Sequence, residues 1–196
     1  MKLRGRSMLL GLCLLALAGC GATPHKDSFY RLPDTAASAA VNVAEGPIVY
    51  IPPFIADGLH GERALVYAHD DGTTLEQYTY HYWVDSPRLL LQQALAARLR
   101  GAHRVVTAPS ADARYTLRGH IAKFERQGTG KGASAEVSLE FELLSAATDV
   151  PEFARAYQRS VLLADDTMSS CAGALGQAAQ DVLTSFVTDL EAYWRR

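Results

Sequence analysis

The sequence predicts an α+β fold in which a mostly antiparallel or mixed β-sheet packs against two helices, at about residues 87–100 and 168–194. Two patterns carry this prediction. Apolar residues recur at helical spacing in both of those segments, and the shorter runs between them and before them have the alternating or continuous apolar character of strands. The chain is long enough to bury one ordinary core, so a single domain is expected.

The chain opens with a secretion signal at residues 1–19. Three basic residues precede an apolar run at residues 8–18, which is the order found in signal peptides. A run of about 11 residues would rise only ~16 Å as a helix, roughly half of the ~30 Å hydrocarbon core of a bilayer. The segment is therefore expected to direct export and not to remain as a membrane span.

Residues 17–20, Leu-Ala-Gly-Cys, resemble the lipobox of bacterial lipoproteins. One aliphatic and two small residues suit the peptidase, and Cys20 supplies the thiol that forms a thioether to diacylglycerol. The resemblance implies that the new amino terminus is acylated too, with palmitate as the expected chain, and several chains make membrane binding persistent. The alternative is an ordinary signal peptide with a chance cysteine near its cleavage point. Gly21 stands where an aspartate would favour the inner membrane, so the resemblance implies the periplasmic face of the outer membrane.

The charge balance and the cysteines argue against nucleic-acid binding and against an internal disulfide. The sequence has 19 basic and 21 acidic residues, and the signal removes three of the basic ones, which leaves an acidic excess of about five. No basic block survives, so nucleic acid is not an expected partner. Cys13 leaves with the signal and Cys20 carries lipid, so Cys171 has no disulfide partner. A small buried hydrophobe is the interpretation we favour for Cys171, and a catalytic thiol of low pKa is the alternative.

Residues 20–28 are predicted to form a lipidated tether and residues 29–196 a single domain. The first part of that domain is predicted, in order, as an edge strand at 29–33, a loop at 34–46, a buried central strand at 47–54, and a hairpin of strands 62–69 and 75–83 around an Asp-Gly turn. The turn lacks the ligand pattern of a calcium loop.

Ser86 and Pro87 predict the start of the first helix. A serine hydroxyl can accept hydrogen bonds from the unpaired amides of the first turn, and the fixed φ of proline suits that turn. Leu91, Leu95 and Leu99 then repeat at helical spacing, and the segment is expected to pack on the sheet.

The second half is predicted as strands at 103–107, 114–124, 134–144 and 153–163, followed by the long helix. In the third of these strands apolar residues alternate with glutamates, and Arg155 and Arg159 in the fourth are expected to pair with those glutamates across the ladder. Asp165 and Asp166 are expected to help open the last helix. Its apolar stripe is typical of core, with a partner helix or an oligomer interface as the alternative.

The sequence offers no catalytic constellation and no cofactor motif. The Gly-rich segment 128–134 fails as a phosphate loop because Lys131 is followed by glycine and strands flank it. There is no nucleophile elbow and no paired-cysteine or zinc-protease motif. The histidines are scattered, and although His69 and His81 could approach across the hairpin, no metal site is expected.

The unusual local feature is the aromatic run at residues 78–83. We expect Tyr78, Tyr80 and Tyr82 to share one face of their strand, with Trp83 opposite. Rigid amphipathic rings supply contact area at low entropy cost, so these four residues are the candidates for partner binding. The alternative, weighed equally, is that they cover the domain's own core.

The order of motifs resembles the ABC-type transport auxiliary lipoproteins, a family that includes the paraquat-inducible lipoprotein. The resemblance rests on the lipobox and on four later segments: Phe-Tyr-Arg-Leu-Pro at 29–33, Ile-Val-Tyr-Ile-Pro-Pro-Phe at 48–54, Leu-Val-Tyr at 65–67, and Tyr-His-Tyr-Trp-Val-Asp-Ser-Pro at 80–87 leading into the leucine helix.

This resemblance implies a lipoprotein that works with a mammalian-cell-entry (MCE) domain protein, a permease and an ATPase to move lipids or other hydrophobic molecules between two membranes. The only site residue that the resemblance implies for this sequence is Cys20, as the point of lipid attachment. We therefore expect a non-enzymatic docking component, and a homo-oligomer is one of the assemblies considered for it. The alternatives from other classes are a lipid-anchored enzyme acting on envelope polymers and a structural lipoprotein for outer-membrane assembly.

Overall fold

One long strand, β7 (Ala113–Gln127), organises the sheet. The structure is a computed structural model, and it describes residues 25–33, 46–69 and 71–196. The predicted signal, Cys20, Asp70 and most of the predicted loop at 34–46 lie outside the described residues. Within them the sheet has nine strands, both parallel and antiparallel, and two helices pack on it. The predicted α+β class with a mixed sheet is confirmed.

Antiparallel strands follow β7 along the chain. β8 (Ser134–Ser145) pairs with β7, and β9 (Pro151–Leu162) pairs with β8. The predicted alternation in β8 is confirmed, because Val137, Leu139, Phe141 and Leu143 are buried while Glu140 and Glu142 on the other face are exposed. Apolar burial on one face only thus fixes which side of β8 meets the helices.

The opposite edge of β7 receives three short parallel strands at successive levels. These are β2 (Ile48–Tyr50), β3 (Ile55–Ala56) and β4 (Ala64–Ala68). Three outer strands complete the sheet: β6 (Arg104–Val106), parallel to β2; β5 (Leu75–Trp83), antiparallel to β4; and β1 (Ser28–Tyr30), parallel to β5. The predicted hairpin and edge strand are thereby confirmed, and β1 begins at Ser28, the last residue assigned to the tether.

A proline pair separates β2 from β3, since prolines donate no ladder hydrogen bond. The chain then turns Phe54 into the core, where its ring lies across Gly119 of β7. A Cβ at Gly119 would come within 2.5 Å of that ring, so only glycine permits this approach. Phe54 also meets Phe141 edge to face, with ring centroids 5.9 Å apart.

The first helix, α1 (Pro87–Leu99), occupies the predicted segment. Leu91, Leu95 and Leu99 are fully buried, as their spacing predicted. The expected capping by the Ser86 hydroxyl is wrong, because that side chain makes no capping hydrogen bond. Instead, Asp85 Oδ1 accepts from the Ser86 backbone amide at 2.7 Å, and the fixed φ of Pro87 sets the first turn.

The last helix, α2 (Met168–Trp194), lies over β8 and β9. The Phe186 ring stacks on Phe141 with centroids 4.0 Å apart, which joins helix and sheet in one core cluster. Cys171 is fully buried, as favoured above, and burial raises the pKa of its thiol to about 11. At neutral pH it is therefore a protonated core side chain.

The predicted pairing of Arg155 and Arg159 with the β8 glutamates is wrong. In the register of β8 and β9 these arginines lie opposite Phe141 and Val137, so they project on the helix side of the sheet. Arg159 Nη2 donates to Ser185 Oγ of α2 at 3.3 Å. The glutamates face small residues of β9 instead.

Asp165 and Asp166 both make hydrogen bonds or ion pairs just before α2, but neither is the N-cap residue of this helix. Thr167 is the N-cap residue, because its Oγ1 accepts a hydrogen bond from the Ser170 amide at 3.1 Å. The same hydroxyl donates a hydrogen bond to Asp165. Asp166 forms an ion pair with the buried guanidinium of Arg126. Among the helices of the described residues, none is long and apolar enough to cross a membrane.

Candidate functional site

Aromatic side chains gather where β1, β4 and β5 meet, at the end of the sheet closest in sequence to the predicted lipid anchor. We call this surface the aromatic edge. It comprises Phe29, Tyr30, Tyr67, Tyr78, Tyr80, His81 and Tyr82. β1 creates it by adding in parallel to the outside of β5, which places Phe29 beside Tyr82 and Tyr30 beside Trp83.

Tyr80 divides the aromatic edge into two sides. Its φ is +68°, a left-handed conformation that interrupts the regular pleat of β5, and the pairing with β4 shifts across the same stretch. The expectation that Tyr78, Tyr80 and Tyr82 share a face is therefore wrong. Tyr78 lies on the side of His81, whereas Tyr82 lies on the opposite side with Phe29.

The outer side is built around Phe29, which is 55% exposed. Its ring centroid lies 5.9 Å from that of Tyr82, and the Arg63 guanidinium carbon lies 5.8 Å above it. Arg63 is held there because its Nη2 donates to the carbonyls of Trp83 and Val84 at 3.3 and 3.2 Å. This side therefore presents apolar rings next to a fixed positive charge.

The inner side is a row of rings that contact one another and lead into the core. The Tyr30 hydroxyl lies 3.0 Å from His81 Nδ1, and the Tyr78 ring meets His81 edge to face at 6.3 Å. Tyr67 packs against Tyr78 with centroids 4.5 Å apart. Because Tyr30 and Tyr78 also contact the core cluster, this side stabilises the domain itself.

The most accessible of the predicted partner-binding residues is Tyr80, which is 39% exposed and stacks on His25 at 4.8 Å. Trp83 is only 1% exposed and packs against Phe124 at 5.3 Å. Tyr78 and Tyr82 are half-buried. Of the four predicted residues, the structure thus leaves Tyr80 exposed, keeps Tyr78 and Tyr82 half-buried and uses Trp83 as core.

Local interactions raise the pKa of two phenols of the aromatic edge, Tyr67 and Tyr78. The hydrogen bond from the Tyr67 hydroxyl to Glu76, together with the carboxylate charge, raises the pKa of Tyr67. Burial raises the pKa of Tyr78, against the opposing charge of Arg126. A partner would therefore meet the Tyr67 and Tyr78 hydroxyls in their uncharged form, which can donate or accept.

Two histidine and carboxylate groups lie on and beside β7. His60 Nε2 lies 2.6 Å from Glu125 Oε2, and both side chains are buried. Burial opposes ionisation of Glu125, yet the bond from His60 and the charges of His60 and Lys123 hold its pKa below the ordinary value. His120 lies between Asp57 and Glu140. In the described part of the chain, no three His, Cys, Asp or Glu side chains form a group that could hold a metal ion.

Sequence reasoning found the tyrosines but missed Phe29 and Arg63. Phe29 could have been found, because an aromatic residue beside the predicted tether on a predicted edge strand is a candidate for exposure. Arg63 carried no such signal, since its place depends on how the β4 and β5 hairpin folds onto β1.

Comparison with known proteins identifies the family. The sequence model of the family described as ABC-type transport auxiliary lipoprotein component matches residues 30–186. The chain belongs to this family. The match includes nearly all of the aromatic edge and confirms the resemblance drawn from the sequence. No curated protein sequence matches the chain.

Solved structures support the same fold for this auxiliary lipoprotein. A Xanthomonas campestris protein of the DUF330 family is 15% identical, with a TM-score of 0.66 over 82% of this chain and 92% of its own. A hypothetical protein from Chlamydia trachomatis is 11% identical, with a TM-score of 0.52 over 76% of this chain and 98% of its own. At these identities the likeness concerns the fold alone.

Proposed function

We propose that this ABC-type transport auxiliary lipoprotein is anchored in the outer membrane and is a non-enzymatic docking component of an MCE-type intermembrane lipid transport system. The observation that carries the proposal is the family match across residues 30–186. The expected partners are an MCE-domain protein, a permease and an ATPase. Cys20 would carry the lipid, and Gly21 favours sorting to the outer membrane.

The aromatic edge is the docking surface in this proposal. The aromatic edge combines exposed Phe29 and Tyr80 with the cation of Arg63, and aromatic residues with arginine are the types most enriched at protein interfaces. β1 begins eight residues after Cys20, and a chain of that length spans at most about 30 Å. A partner bound here would therefore be held close to the membrane surface.

The proposal includes a homo-oligomer. What supports it is β9, a 12-residue edge strand that, among the described residues, pairs with β8 alone. Such a strand has backbone donors and acceptors along its outer side, which a second copy can pair with.

The test is co-purification of the full-length tagged protein from cells that co-express the neighbouring MCE, permease and ATPase genes. The wild type is expected to recover the MCE protein. Replacing Phe29 and Tyr80 together by serine should reduce recovery about thirtyfold, because a pair of interface anchors contributes on the order of 2 kcal/mol or more. Ile55→Ser is the matched control, since Ile55 is also an exposed large hydrophobe and lies on β3, which contributes no residue to the aromatic edge.

Recovery of neither the MCE protein nor the permease, together with hydrolysis of an envelope polymer by the purified protein, would favour a lipid-anchored enzyme and overturn the proposal. Recovery of an outer-membrane barrel in their place would favour a structural lipoprotein. Equal losses in the double variant and in Ile55→Ser would remove the aromatic edge from the proposal.

A further inference from the structure

A groove of about 510 Å³ runs between the segment after β1 and the outer side of α1. It is separate from the aromatic edge, although both begin at β1. Its volume lies within the roughly 300–1,000 Å³ that small-molecule sites occupy. The proposed docking role does not use this groove.

The wall formed by the segment after β1 is fixed in place. Pro33 lies directly on Gly176 of α2, where a Cβ would come within 2.3 Å of the proline ring. Gln180 Nε2 donates to the Pro33 carbonyl at 2.7 Å, and the Val84 amide donates to the Tyr30 carbonyl at 2.8 Å. The groove is thus held open by backbone hydrogen bonds and close packing, which preorganises it for a ligand.

The floor of the groove is apolar. α1 has a second apolar stripe beside its buried leucines, made of Leu90, Ala94 and Ala97 at helical spacing. The two alanines leave space that larger side chains would fill. Leu32 and the partly exposed Val84 face the same space from the other side. An extended hydrocarbon chain fits such a lining, because it removes apolar surface from water on both sides.

The charged residues around this floor are all basic. Arg31, Arg98 and Arg100 line the groove, and no acidic residue does so among the described residues. Arg98 is half-buried, and burial lowers the pKa of its guanidinium. One of its nitrogens, Nη1, donates to the Ala94 carbonyl at 3.2 Å. Guanidinium groups in such a setting favour a phosphate, which they can bind in a bidentate way.

We propose that the groove binds one anionic phospholipid molecule, with its phosphate at Arg31, Arg98 and Arg100 and an acyl chain along Leu90, Ala94 and Ala97. The inference deepens the proposed function and rests on it, since a lipid transport system supplies this ligand at the membrane where the domain is held. The protein then contacts the cargo itself in addition to docking its partners.

The test uses the full-length protein in cells that co-express the transport partners and are labelled with ³²P-phosphate. A photo-cross-linking amino acid replaces Gln93, an exposed residue at the groove mouth, or Ala156, an exposed residue on β9 as the control position. Irradiation should attach ³²P-labelled phospholipid at residue 93 and not at residue 156.

Replacing Arg31 and Arg100 together by glutamine should reduce that labelling at least about tenfold, because a hydrogen bond to a charged group contributes roughly 1.5–3 kcal/mol. Both arginines are exposed, so the fold is expected to persist, and an unchanged denaturation midpoint verifies this. Arg98→Gln should act in the same way and Arg98→Lys should restore part of the signal. Arg155→Gln on β9 is the matched charge control and should change nothing.

The proposal is overturned if labelling at residue 93 does not exceed that at residue 156. It is also overturned if the arginine variants label as the wild type does, or if residue 93 cross-links only to protein. Labelling that depends on the arginines while no MCE protein is recovered would keep the phospholipid site and reject the proposed docking function. Recovery of the MCE protein without lipid labelling would do the reverse.

Discussion

At the scale of single residues, His120 makes the most informative polar contacts. Its Nε2 lies 2.9 Å from Asp57 and its Nδ1 lies 3.2 Å from Glu140, so a carboxylate faces each ring nitrogen. Burial alone would lower the pKa of His120, but the two carboxylates raise it above its ordinary value of 6.5. The folded protein therefore holds a proton at His120 more tightly than the unfolded chain does.

This linkage predicts a pH-dependent effect of His120→Gln. Because the folded pKa is raised, the contribution of His120 to stability is fully present below pH 6.5 and is lost as the pH rises through the folded pKa. The free energy of unfolding should therefore fall more on substitution at pH 5.5 than at pH 8.5. Urea denaturation of both proteins at the two pH values measures this, and a loss that is equal or larger at pH 8.5 would contradict it.

The sequence predicted the burial of Cys171 but not the backbone conformation of Tyr80. The burial of Cys171 followed from its small neighbours and apolar helix stripe. The left-handed conformation of Tyr80 did not, because nothing about a tyrosine favours a positive φ and only tertiary packing imposes it. That one angle separates Tyr78 from Tyr82 and changes which tyrosines a partner can reach.

At the scale of elements, the two helices begin in different ways. The Thr167 hydroxyl accepts the Ser170 amide at the start of α2, whereas the Ser86 hydroxyl makes no such bond at the start of α1. Thr167→Ala should lower the free energy of unfolding by about 1 kcal/mol, and Ser86→Ala by less than about 0.5 kcal/mol. Chemical denaturation of the two variants measures the difference.

Thr167→Ser is the control, since it keeps the capping oxygen and should retain most of the stability of the wild type. Equal losses in Thr167→Ala and Ser86→Ala would show that the Thr167 hydrogen bond contributes nothing specific to α2.

Periodicity predicted most strands and both helices, but it could not give the register between strands. The buried face of β8 was evident from its alternation, yet the partners of Arg155 and Arg159 depended on how β9 aligns with it. A displacement of one residue exchanges the two faces of a strand. The arginines accordingly lie against the α2 side, although their spacing fitted the glutamates equally well.

At the scale of the whole molecule, the proposed attachment to the membrane through Cys20 has the clearest single-residue test. Cys20→Ala removes the thiol that lipidation requires. The variant should accumulate as an uncleaved precursor or as a protein released from the membrane fraction. Fractionation and mass measurement of the wild type and variant would check this.

A Cys20→Ala protein that remained membrane-bound and was processed like the wild type would contradict lipidation at this position. Cys171→Ala is the control, because that buried thiol is far along the chain in α2 and should not affect attachment.

The sequence could indicate the aromatic edge in part but not the groove. The tyrosines of β5 stand together in the chain, so they were visible as a cluster. The groove joins segments that are remote in sequence, and the hydrogen bond between Gln180 and Pro33 alone links residues 147 positions apart. No periodic pattern encodes such a contact, because it arises only when both ends of the domain fold onto the same sheet.

That same hydrogen bond has a mechanical consequence. A pull on the chain ahead of Ser28, such as a membrane anchor exerts, enters the domain through β1, which has only three residues. Beyond β1 the chain continues to Pro33, where contact with Gly176 and Gln180 passes the force to the 27-residue helix α2. Tension applied at the proposed membrane anchor would thus be carried into α2, and a short edge strand would not have to withstand it alone.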